Sequence, residues 1–563
     1  MQEICAVDCT VTLIGSAGES GLPAEEHMAF ERWTPRQDYT KQEEFLLRRL
    51  RRTRKLFAFL RDHRRALFDE AFQTELESMY RDTGAGREPV PPALLAMIVL
   101  LQSYLGMSDA EAVELTVVDL RWQMVLDRLG ATEPACGQAT LVEFRERLIR
   151  SDMDRRLLER TVEFARETKA FDWKKLPKDL RVAVDSSPLE GAGRVEDTIN
   201  LLGHAARKVV QCASDLLGWT ADRVAQRAGI PVLLEASVKR GLDTEWSDPD
   251  AKAEALNTLV KQLDALDAWL REKLPAELGK PPLKDHLDTL MQIRTQDLEP
   301  DPNGGGGTLI REGVAAERRV SVEDPDMRHG RKSKSKRFSG YKRHIATDLD
   351  SNLIMACAVT PANRPEEEAA PILSADLERQ GRRIAEMHID RGYIASPVVA
   401  DVLADGGDVI CKPWVPRNGK LFTKADFKIN MRARTITCPA GEIERIDLGA
   451  DVEFDPQGCA RCRLRAKCTT AASGSGRTVT IADDELLQHR LRKLISSAPG
   501  RERLRERVAI EHRLAHLGRR QGRHARYRGT RKNLFDVRRA SAVLNLEVLD
   551  RRLVTAFPSR RAA

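Results

Sequence analysis

The spacing of hydrophobic residues predicts a helical domain near the N-terminus. Residues 1–40 show little periodicity and are interpreted as a loose leader, whereas hydrophobic residues recur every three to four positions over residues 42–79. Several further helices are predicted over residues 90–164, one of which begins with a capping box at Ser108. Residues 41–170 are therefore predicted to form one helical domain. It is either a helix-turn-helix domain with a helix in the major groove or a packing domain without base contacts.

The pattern changes to that of β-strands after residue 170. Alternating and β-branched residues predict three strands, the last two joined as a hairpin, followed by a helix, a strand, a helix and a strand. These elements are centred on residues 182–184, 338–347, 353–359, 365–380, 384–389, 396–403 and 408–414. This order favours a ribonuclease-H-like α/β fold over a doubly wound sheet. We predict a catalytic domain of this fold from residues 171–189, 338–415 and 483–550.

A mainly helical insert is predicted over residues 190–337, after the first strand. Five leucines follow one another at alternating steps of three and four residues, which is the spacing of a packing seam. They are Leu256, Leu259, Leu263, Leu266 and Leu270. The glycine run within residues 300–307 lacks a following Gly-Lys-Ser/Thr, so we interpret it as a flexible link and not as a phosphate-binding loop.

A second insert, over residues 416–482, carries four cysteines. Cys459 and Cys462 form a Cys-x2-Cys pair, and Cys438 and Cys468 flank it. Four thiolates can close a tetrahedral zinc site, and a segment this polar has no evident core without one. The alternative is a loop that carries reduced thiols.

Basic residues are concentrated in two segments, although the 563-residue chain has a formal net charge of only +7. Residues 501–532 hold 12 arginines and lysines against three acids, and residues 327–343 hold eight against none. Either segment can follow a DNA backbone, and a solvated surface is the competing interpretation. The second segment includes Lys332, Lys334, Lys336 and Lys342.

Other features limit the class of protein. The longest apolar run near the start, Ala93 to Leu101, has nine residues, far fewer than the roughly 20 that a membrane-spanning helix needs. The N-terminus lacks the basic-then-apolar pattern of a signal peptide. Ten cysteines are too sparse for a disulfide scaffold. A cytoplasmic protein without a membrane partner is expected.

Three acids occur in contexts suited to metal binding. Asp185 and Asp390 each follow a predicted strand, and Glu511 lies in a basic helix four residues after Arg507. Three carboxylates can hold hard divalent cations, which prefer oxygen ligands and bind phosphates. A single aspartate after a strand is more often a cap or turn residue, and the Arg507–Glu511 spacing also suits an ordinary helix ion pair.

Several motifs together resemble the bacterial insertion-sequence transposases of the DDE type, in particular a long-chain subgroup with a helical insert and a cysteine-bearing insert. The resemblance extends from about residue 88 to the C-terminus. It is carried by Asp185-Ser-Ser-Pro-Leu, Gly191-Ala-Gly-Arg-Val-Glu-Asp-Thr198, Asp390-Arg-Gly-Tyr393, the stretch from Glu511 to Arg523, and Arg528-Gly-Thr-Arg-Lys-Asn-Leu-Phe535.

The chain departs from the family pattern around Glu511. Related transposases carry Tyr-x2-Arg-x3-Glu-x6-Lys; Arg507 and Glu511 match it, but Leu504 replaces the Tyr and Gly518 replaces the Lys. Arg519 or Arg520 is expected to supply the missing basic group.

The resemblance implies a metal-dependent nucleic-acid enzyme. Asp185, Asp390 and Glu511 would be the catalytic residues and would hold two Mg²⁺ or Mn²⁺ ions. Independently of the resemblance, the cysteine spacing makes Cys438, Cys459, Cys462 and Cys468 candidate ligands of one structural Zn²⁺. The partners would be double-stranded DNA, comprising terminal inverted repeats and target DNA, and a second copy of the chain, in a bacterial cytoplasm near the nucleoid. The expected DNA-binding residues are Arg507, Arg519, Arg520, Arg523, Lys332, Lys334, Lys336, Lys342, Arg531 and Lys532.

Three functions remain open at this stage. The chain is a transposase that cuts and joins the ends of its own element, a metal-dependent nuclease of the same fold without strand transfer, or a catalytically inactive DNA-binding relic. Retention of all three acids argues against the relic, because a chain freed of selection readily loses one of them. Cutting and joining use the same carboxylates, so the sequence does not separate the first two.

Overall fold

A computed structural model describes residues 31–50, 55–80, 89–302, 307–333, 335–472 and 474–556 of the chain. Most of the predicted leader, residues 303–306 of the predicted flexible link, and the predicted DNA contact Lys334 lie outside the described residues. In the described part, residues 31–40 contain no regular helix or strand, but Trp33 is buried against the N-terminal helices.

In the part of the chain that the structure describes, eight helices precede the first strand. The fourth is buried over almost its whole length because its residues are nearly all apolar; it begins at a proline in the first turn and ends at Gly106, whose φ of 77° suits a helix C-terminus. The helices are α1 (Lys41–Arg49), α2 (Lys55–Leu67), α3 (Glu70–Glu77), α4 (Pro92–Leu105), α5 (Asp109–Val118), α6 (Leu120–Leu126), α7 (Gln138–Arg150) and α8 (Met153–Glu167).

The pair α4 and α5 has the geometry of a helix-turn-helix. The two helices are bent by 105° around a three-residue turn that contains Gly106. However, α5 carries Asp109, Glu111 and Glu114 and no basic residue, so its surface would repel a phosphate backbone. This argues against α5 as a groove-reading helix, and DNA binding by the N-terminal domain stays a prediction.

No single helix in the described part of the chain is long and apolar enough to cross a membrane. The helices α4 and α5 meet such a criterion only as a pair, with the 105° bend between them.

The first strand, β1 (Asp179–Glu190), leads into the helical insert. The insert has a hydrophobic core of its own, to which the five seam leucines of α12 contribute buried side chains, as predicted. Its elements are α9 (Thr198–Leu217), α10 (Ala221–Arg227), a 3₁₀ helix (Pro231–Leu234), α11 (Val238–Gly241), α12 (Pro249–Lys273), α13 (Leu283–Asp297), β2 (Leu298–Pro300) and β3 (Thr308–Ile310).

The central sheet has the ribonuclease-H-like strand order. β5 pairs antiparallel with β1 and with β6, β7 pairs parallel with β1, and β8 pairs parallel with β7. The elements are β4 (Arg328–Arg331), β5 (Arg337–Asp348), β6 (Ile354–Pro361), a 3₁₀ helix (Glu366–Glu368), α14 (Ala369–Arg379), β7 (Arg383–His388), a 3₁₀ helix (Arg391–Tyr393), α15 (Pro397–Ala404) and β8 (Asp408–Ile410).

Two details of the sheet differ from the prediction. Residues Arg328–Arg331 were assigned to the insert, but they pair with the start of β5 and extend the sheet. The last strand is shorter than predicted, because β8 ends at Ile410 and the chain then leaves the sheet towards the second insert.

The second insert consists of short elements around a small core. Phe427, Ile436, Phe454 and Ile481 are among its buried residues, so the segment has a core, which the sequence did not reveal. Its elements are a 3₁₀ helix (Lys424–Asp426), β9 (Lys428–Asn430), β10 (Thr435–Thr437), β11 (Ile443–Arg445), β12 (Asp451–Glu453), α16 (Pro456–Arg461), α17 (Arg465–Cys468) and β13 (Thr478–Thr480).

The C-terminal helices join the sheet to the N-terminal domain. They are α18 (Glu485–Ser496), α19 (Ala498–Glu506), α20 (Val508–Gln521) and α21 (Thr530–Ala556). On α21, the buried Asn545 side chain bonds both backbone groups of Ile354 on β6 and donates to the Thr161 hydroxyl of α8 at 3.0 Å. One continuous hydrophobic core therefore includes the N-terminal helices, the sheet and α21.

Candidate functional site

Asp185 and Asp390 lie side by side at one edge of the sheet. In the parallel pairing of β1 with β7, Ala183 is level with His388. Each aspartate comes two residues further along its strand direction, so the two carboxylates reach the same edge. Asp390 caps the short helix that follows and accepts a hydrogen bond from the Gly392 amide at 2.8 Å.

Glu511 approaches the two aspartates from α20. It lies in the first turn of this helix, whose apolar face, with Ile510, Leu514 and Leu517, is buried in the main core. The Glu511 side chain is 58% exposed, and its nearest cation is Arg507, at 3.7 Å. Asp185, Asp390 and Glu511 all line one cleft of about 2280 Å³.

A fourth carboxylate, Glu366, belongs to the same site and was missed by the sequence analysis. It follows β6, which runs parallel to β1 because both are antiparallel to β5. Its Oε1 accepts a hydrogen bond from the hydroxyl of Ser186, the neighbour of Asp185. A Cβ atom at Gly392 would lie 2.2 Å from Glu366 Oε2 and 3.1 Å from Asp390 Oδ1, so Gly392 is wedged between the two carboxylates. Glu366 comes five residues after the end of β6, and its nearness to a predicted strand end was the one signal available in the sequence.

The charge of this acidic group is only partly neutralised by the protein. The pKa of Asp185 is raised to about 6, mainly by burial and also by the carboxylates of Asp390 and Glu366, while Arg507 and the Ser186 amide oppose the shift. Oxygen ligands with excess negative charge at a polar cleft suit a hard divalent cation. The donor set therefore fits the magnesium or manganese ions that the family resemblance implies.

Two arginines approach the acids, and one of them was not singled out in the sequence. Arg507 lies between α19 and α20 and donates to Asp185 Oδ2 at 2.7 Å, so its main partner is Asp185 and not Glu511. Arg343 is only 5% exposed and faces Ser187 across the β1–β5 pair. Its guanidinium donates to the Ser187 hydroxyl at 2.8 Å and to Gln521 at 2.7 Å.

Arg343 fills the place beside Gly518, where related transposases carry a lysine. A Cβ atom at Gly518 would lie 3.0 Å from the Arg343 guanidinium. Burial lowers the pKa of Arg343 to about 10, which still leaves it cationic at neutral pH. The structure thus brings a different basic residue to this position from the expected Arg519 or Arg520.

A buried hydrogen-bond chain supports the acids from beneath. The Tyr393 hydroxyl lies 2.7 Å from His344 Nδ1, and His344 Nε2 lies 2.9 Å from the Thr360 hydroxyl. Burial lowers the pKa of His344 to about 3, so the imidazole stays neutral. His344 is fully buried and holds Tyr393 beneath Asp390 and Glu366.

Several predicted DNA contacts line the cleft. Lys332, Lys336, Lys342 and Arg523 do so, together with other basic residues of the β4–β5 hairpin. Lys342 also donates to the Arg364 carbonyl, and Arg523 pairs with Glu190. The basic hairpin and the residues just after α20 thus both border the cleft that holds the acids.

Other predicted DNA contacts point elsewhere. Arg520 donates to the Tyr104 carbonyl and pairs with Glu547, Arg531 pairs with Asp154, and Lys532 pairs with Glu146. These three residues join the C-terminal helices to each other and to the N-terminal domain, which argues against their role in DNA binding. Arg519 is exposed but bonds within its own helix, outside the cleft.

Trp414 is exposed at the cleft and is not part of the core. Its exposed fraction is 52%, and the Arg391 guanidinium lies 5.6 Å from its ring centroid. An exposed tryptophan beside an arginine offers a flat surface on which a nucleotide base can stack.

A separate acidic group lies behind Asp390. The potential ligand atoms of Glu386, His388 and Glu506 all lie within 4.8 Å of one another. Glu386 already accepts hydrogen bonds from Arg181 at 3.1 Å and from Arg503 at 2.6 Å, and Glu506 also pairs with Arg181. With two arginines in place, this group is best described as an ion-pair network that joins β1, β7 and α19.

The four cysteines of the second insert lie around one small cavity. Cys438, Cys459, Cys462 and Cys468 all line it, and none of them forms a disulfide.

Comparison with known proteins gives two family matches. Residues 315–546 match the family described as Transposase DDE domain, and residues 48–147 match the one described as Transposase domain (DUF772). The first match includes Asp390 and Glu511, whereas Asp185 lies before it, on the far side of the helical insert. No curated protein and no solved structure matches the chain. On its fold, its acidic site and these two matches, the chain belongs to the insertion-sequence transposases of the DDE type.

Proposed function

We propose that this protein cuts DNA at the ends of its insertion sequence and joins those ends to target DNA. The observation that carries the proposal is the convergence of Asp185, Asp390 and Glu511, from β1, β7 and α20, on one cleft bordered by basic residues. A metal-dependent nuclease without strand transfer remains the alternative, which the experiments below separate.

Asp185, Asp390 and Glu511 would hold two Mg²⁺ or Mn²⁺ ions. Bound ions of this kind make water or a DNA 3′-OH a stronger nucleophile and stabilise the departing oxygen. Glu366 is placed to add negative charge at the same edge and, through Ser186, to fix the backbone next to Asp185.

Arg507 is proposed to exchange partners when DNA binds. It now neutralises Asp185, and its other guanidinium nitrogen lies toward Glu511. With the carboxylates neutralised by bound cations, the Arg507 guanidinium would be free to bind a phosphate with two parallel hydrogen bonds. Arg343 stays in place because its partners Ser187 and Gln521 are themselves fixed by β1 and α20.

The DNA is proposed to lie along the basic hairpin and the residues just after α20. Lys332, Lys336, Lys342 and Arg523 face the cleft and would contact the phosphates of both the terminal repeats and the target. Transposition brings two ends together, so a homodimer on DNA is expected by analogy with the family.

The test is cleavage of a labelled duplex that carries the element's own end, with Mg²⁺ or Mn²⁺. We expect Asp185→Asn, Asp390→Asn and Glu511→Gln each to abolish cutting while DNA binding persists. Asp350→Asn is the matched control, because Asp350 lies in the β5–β6 turn, at the other end of these strands. Cutting that persists in any of the three variants would show that the site is misplaced, and end binding without cutting by the wild type would favour the inactive relic.

A further inference from the structure

The four cysteines of the second insert come from three separate pieces of chain. Cys438 directly follows β10, Cys459 and Cys462 lie at the end of α16, and Cys468 ends α17. All four nonetheless line the same cavity of about 30 Å³, whose other lining includes Phe422, Phe454 and Leu464. The fold of the insert therefore brings together four thiols from separate pieces of chain.

The local backbone is arranged as in a metal-binding turn. The amide of Cys462 donates to the Cys459 carbonyl at 3.3 Å, and the Leu464 amide donates to Cys462 Sγ at 3.4 Å. On the other side, Cys438 begins a tight turn in which the Gly441 amide returns to the Cys438 carbonyl at 2.9 Å. Amide donation to sulfur favours the thiolate form, which is the form that binds metals.

The insert has only a small apolar core of its own. Its five strands have three residues each, and its core contains few buried side chains. Folding units of this size usually need a metal or a disulfide in addition. The cysteines are free, so a metal is the remaining means of closure.

Basic side chains next to the cavity suit the charge of a thiolate site. Four thiolates around Zn²⁺ carry roughly two negative charges in excess. Arg465 and Arg477 both line the cavity, and Arg477 Nε is buried without a hydrogen-bond partner among the described residues. The cavity therefore has sulfur ligands inside and cations at its border.

We propose that Cys438, Cys459, Cys462 and Cys468 bind one structural zinc ion. The four sulfur atoms do not all lie within 4.8 Å of one another, whereas tetrahedral zinc thiolates need separations of about 3.8 Å, so binding draws the side chains inward. The ion would fix one wall of the catalytic cleft, because Gly449 and residues 480–484, at the base of the same insert, line that cleft.

The first test is the zinc content of the full-length protein, purified without chelator, together with titration of its free thiols. We expect about one zinc per chain and a large loss of zinc in the double variant Cys459→Ser/Cys462→Ser. Cys212→Ser is the matched control, since Cys212 is also buried, in the other insert, and is expected to leave the zinc content unchanged.

A second measurement covers the case in which the double variant fails to fold. The wild type is stripped of metal and loaded with Co²⁺, and the absorption bands of tetrahedral cobalt bound to four thiolates are expected, with a rise in Tm. A wild type that takes up neither zinc nor cobalt, or a disulfide between any two of these cysteines, would overturn the proposal. Equal loss of zinc in Cys212→Ser would do the same.

Discussion

Glu366 shares the sheet edge with Asp185 and Asp390, and we expect it to be needed for catalysis. Glu366→Gln should lower the rate of DNA cleavage by about tenfold or more, because it removes a charge from the metal-binding edge and weakens the bond to Ser186. DNA binding should change little. Single-turnover cleavage and binding of the same labelled duplex measure the two effects separately.

Glu368→Gln is the control for this prediction. Glu368 lies in the same 3₁₀ helix, is exposed and pairs at 4.0 Å with Arg364, away from the aspartates. Equal losses in the two variants would mean that Glu366 acts only through the helix it belongs to.

Arg343 is expected to matter for the reaction more than for the fold. Arg343→Met removes the cation beside Gly518 and should reduce the cleavage rate at saturating DNA, whereas Arg343→Lys should restore part of it because it keeps the charge. The measurement is the cleavage rate as a function of DNA concentration. Arg382→Met, which also removes a buried arginine but outside the cleft, should lower stability without this kinetic effect.

At the scale of residues, the sequence predicted the site residues that follow a strand. It missed the residues whose place in the site depends on the direction in which a strand runs. Asp185 and Asp390 were evident because each follows an apolar run. Glu366 was assigned to an ordinary helix, since its membership in the site requires that β6 run parallel to β1. Arg343 was seen only as one charge in a basic strip, because its contact with Gly518 joins residues 175 positions apart.

At the scale of elements, the ion pairs around Glu386 hold β1, β7 and α19 together behind the sheet edge that carries Asp185 and Asp390. Burial alone would raise the pKa of Glu386, but hydrogen bonds from His388, Arg503 and Arg181 outweigh it and hold the pKa at about 2, below the ordinary 4.5. A depressed carboxyl pKa contributes stability that is complete above about pH 4.5 and is lost as the pH falls towards 2.

We therefore expect Glu386→Gln to destabilise the protein at pH 7, by on the order of 3 kcal/mol. The difference in Tm between wild type and variant should narrow as the pH is lowered from 5 to 3, because the wild-type carboxylate loses its charge. Thermal unfolding at a series of pH values measures this. Glu272→Gln, an exposed residue that pairs with its neighbour Lys273, should show no such trend, and a constant Tm difference for Glu386→Gln would contradict the account.

The helices and strands themselves were largely predictable from the sequence. The residues at which they end and the strands with which they pair were not. The apolar alternation around Val182 and Val184 gave a strand, yet β1 continues to Glu190 because β5 offers it pairing partners over that length. Likewise β4 is too short and too basic to be recognised as a strand, and only its pairing with β5 makes it one.

At the scale of the whole molecule, buried ion pairs connect regions that the sequence had treated as separate domains. Arg538 on α21 contacts Asp152 and Asp154 at the start of α8 and Asp376 on α14, and Arg538, Asp154 and Asp376 are all buried. The periodicity of α8 and α21 predicted helices but gave no indication that they share one core with the sheet.

Arg538→Met is expected to destabilise the protein by about 3–5 kcal/mol, because it leaves Asp154 and Asp376 as poorly compensated buried charges. Lys532→Met removes an exposed ion pair between the same two regions and should cost no more than about 1 kcal/mol. The free energies of unfolding of the two variants are compared by denaturant titration, with helix content as the signal. Similar effects from both would mean that the buried network does not join the regions.

The central claim, that this acidic cleft joins DNA as well as cutting it, is tested most directly by strand transfer from pre-cut ends. A labelled duplex with the element's end is offered with either a 3′-OH or a 3′-dideoxy terminus, together with a circular target and Mg²⁺. A joined product from the 3′-OH end alone, absent in Asp185→Asn, Asp390→Asn and Glu511→Gln, is the predicted result. Cleavage of uncut ends without any joined product from the 3′-OH end would contradict the claim and identify a nuclease.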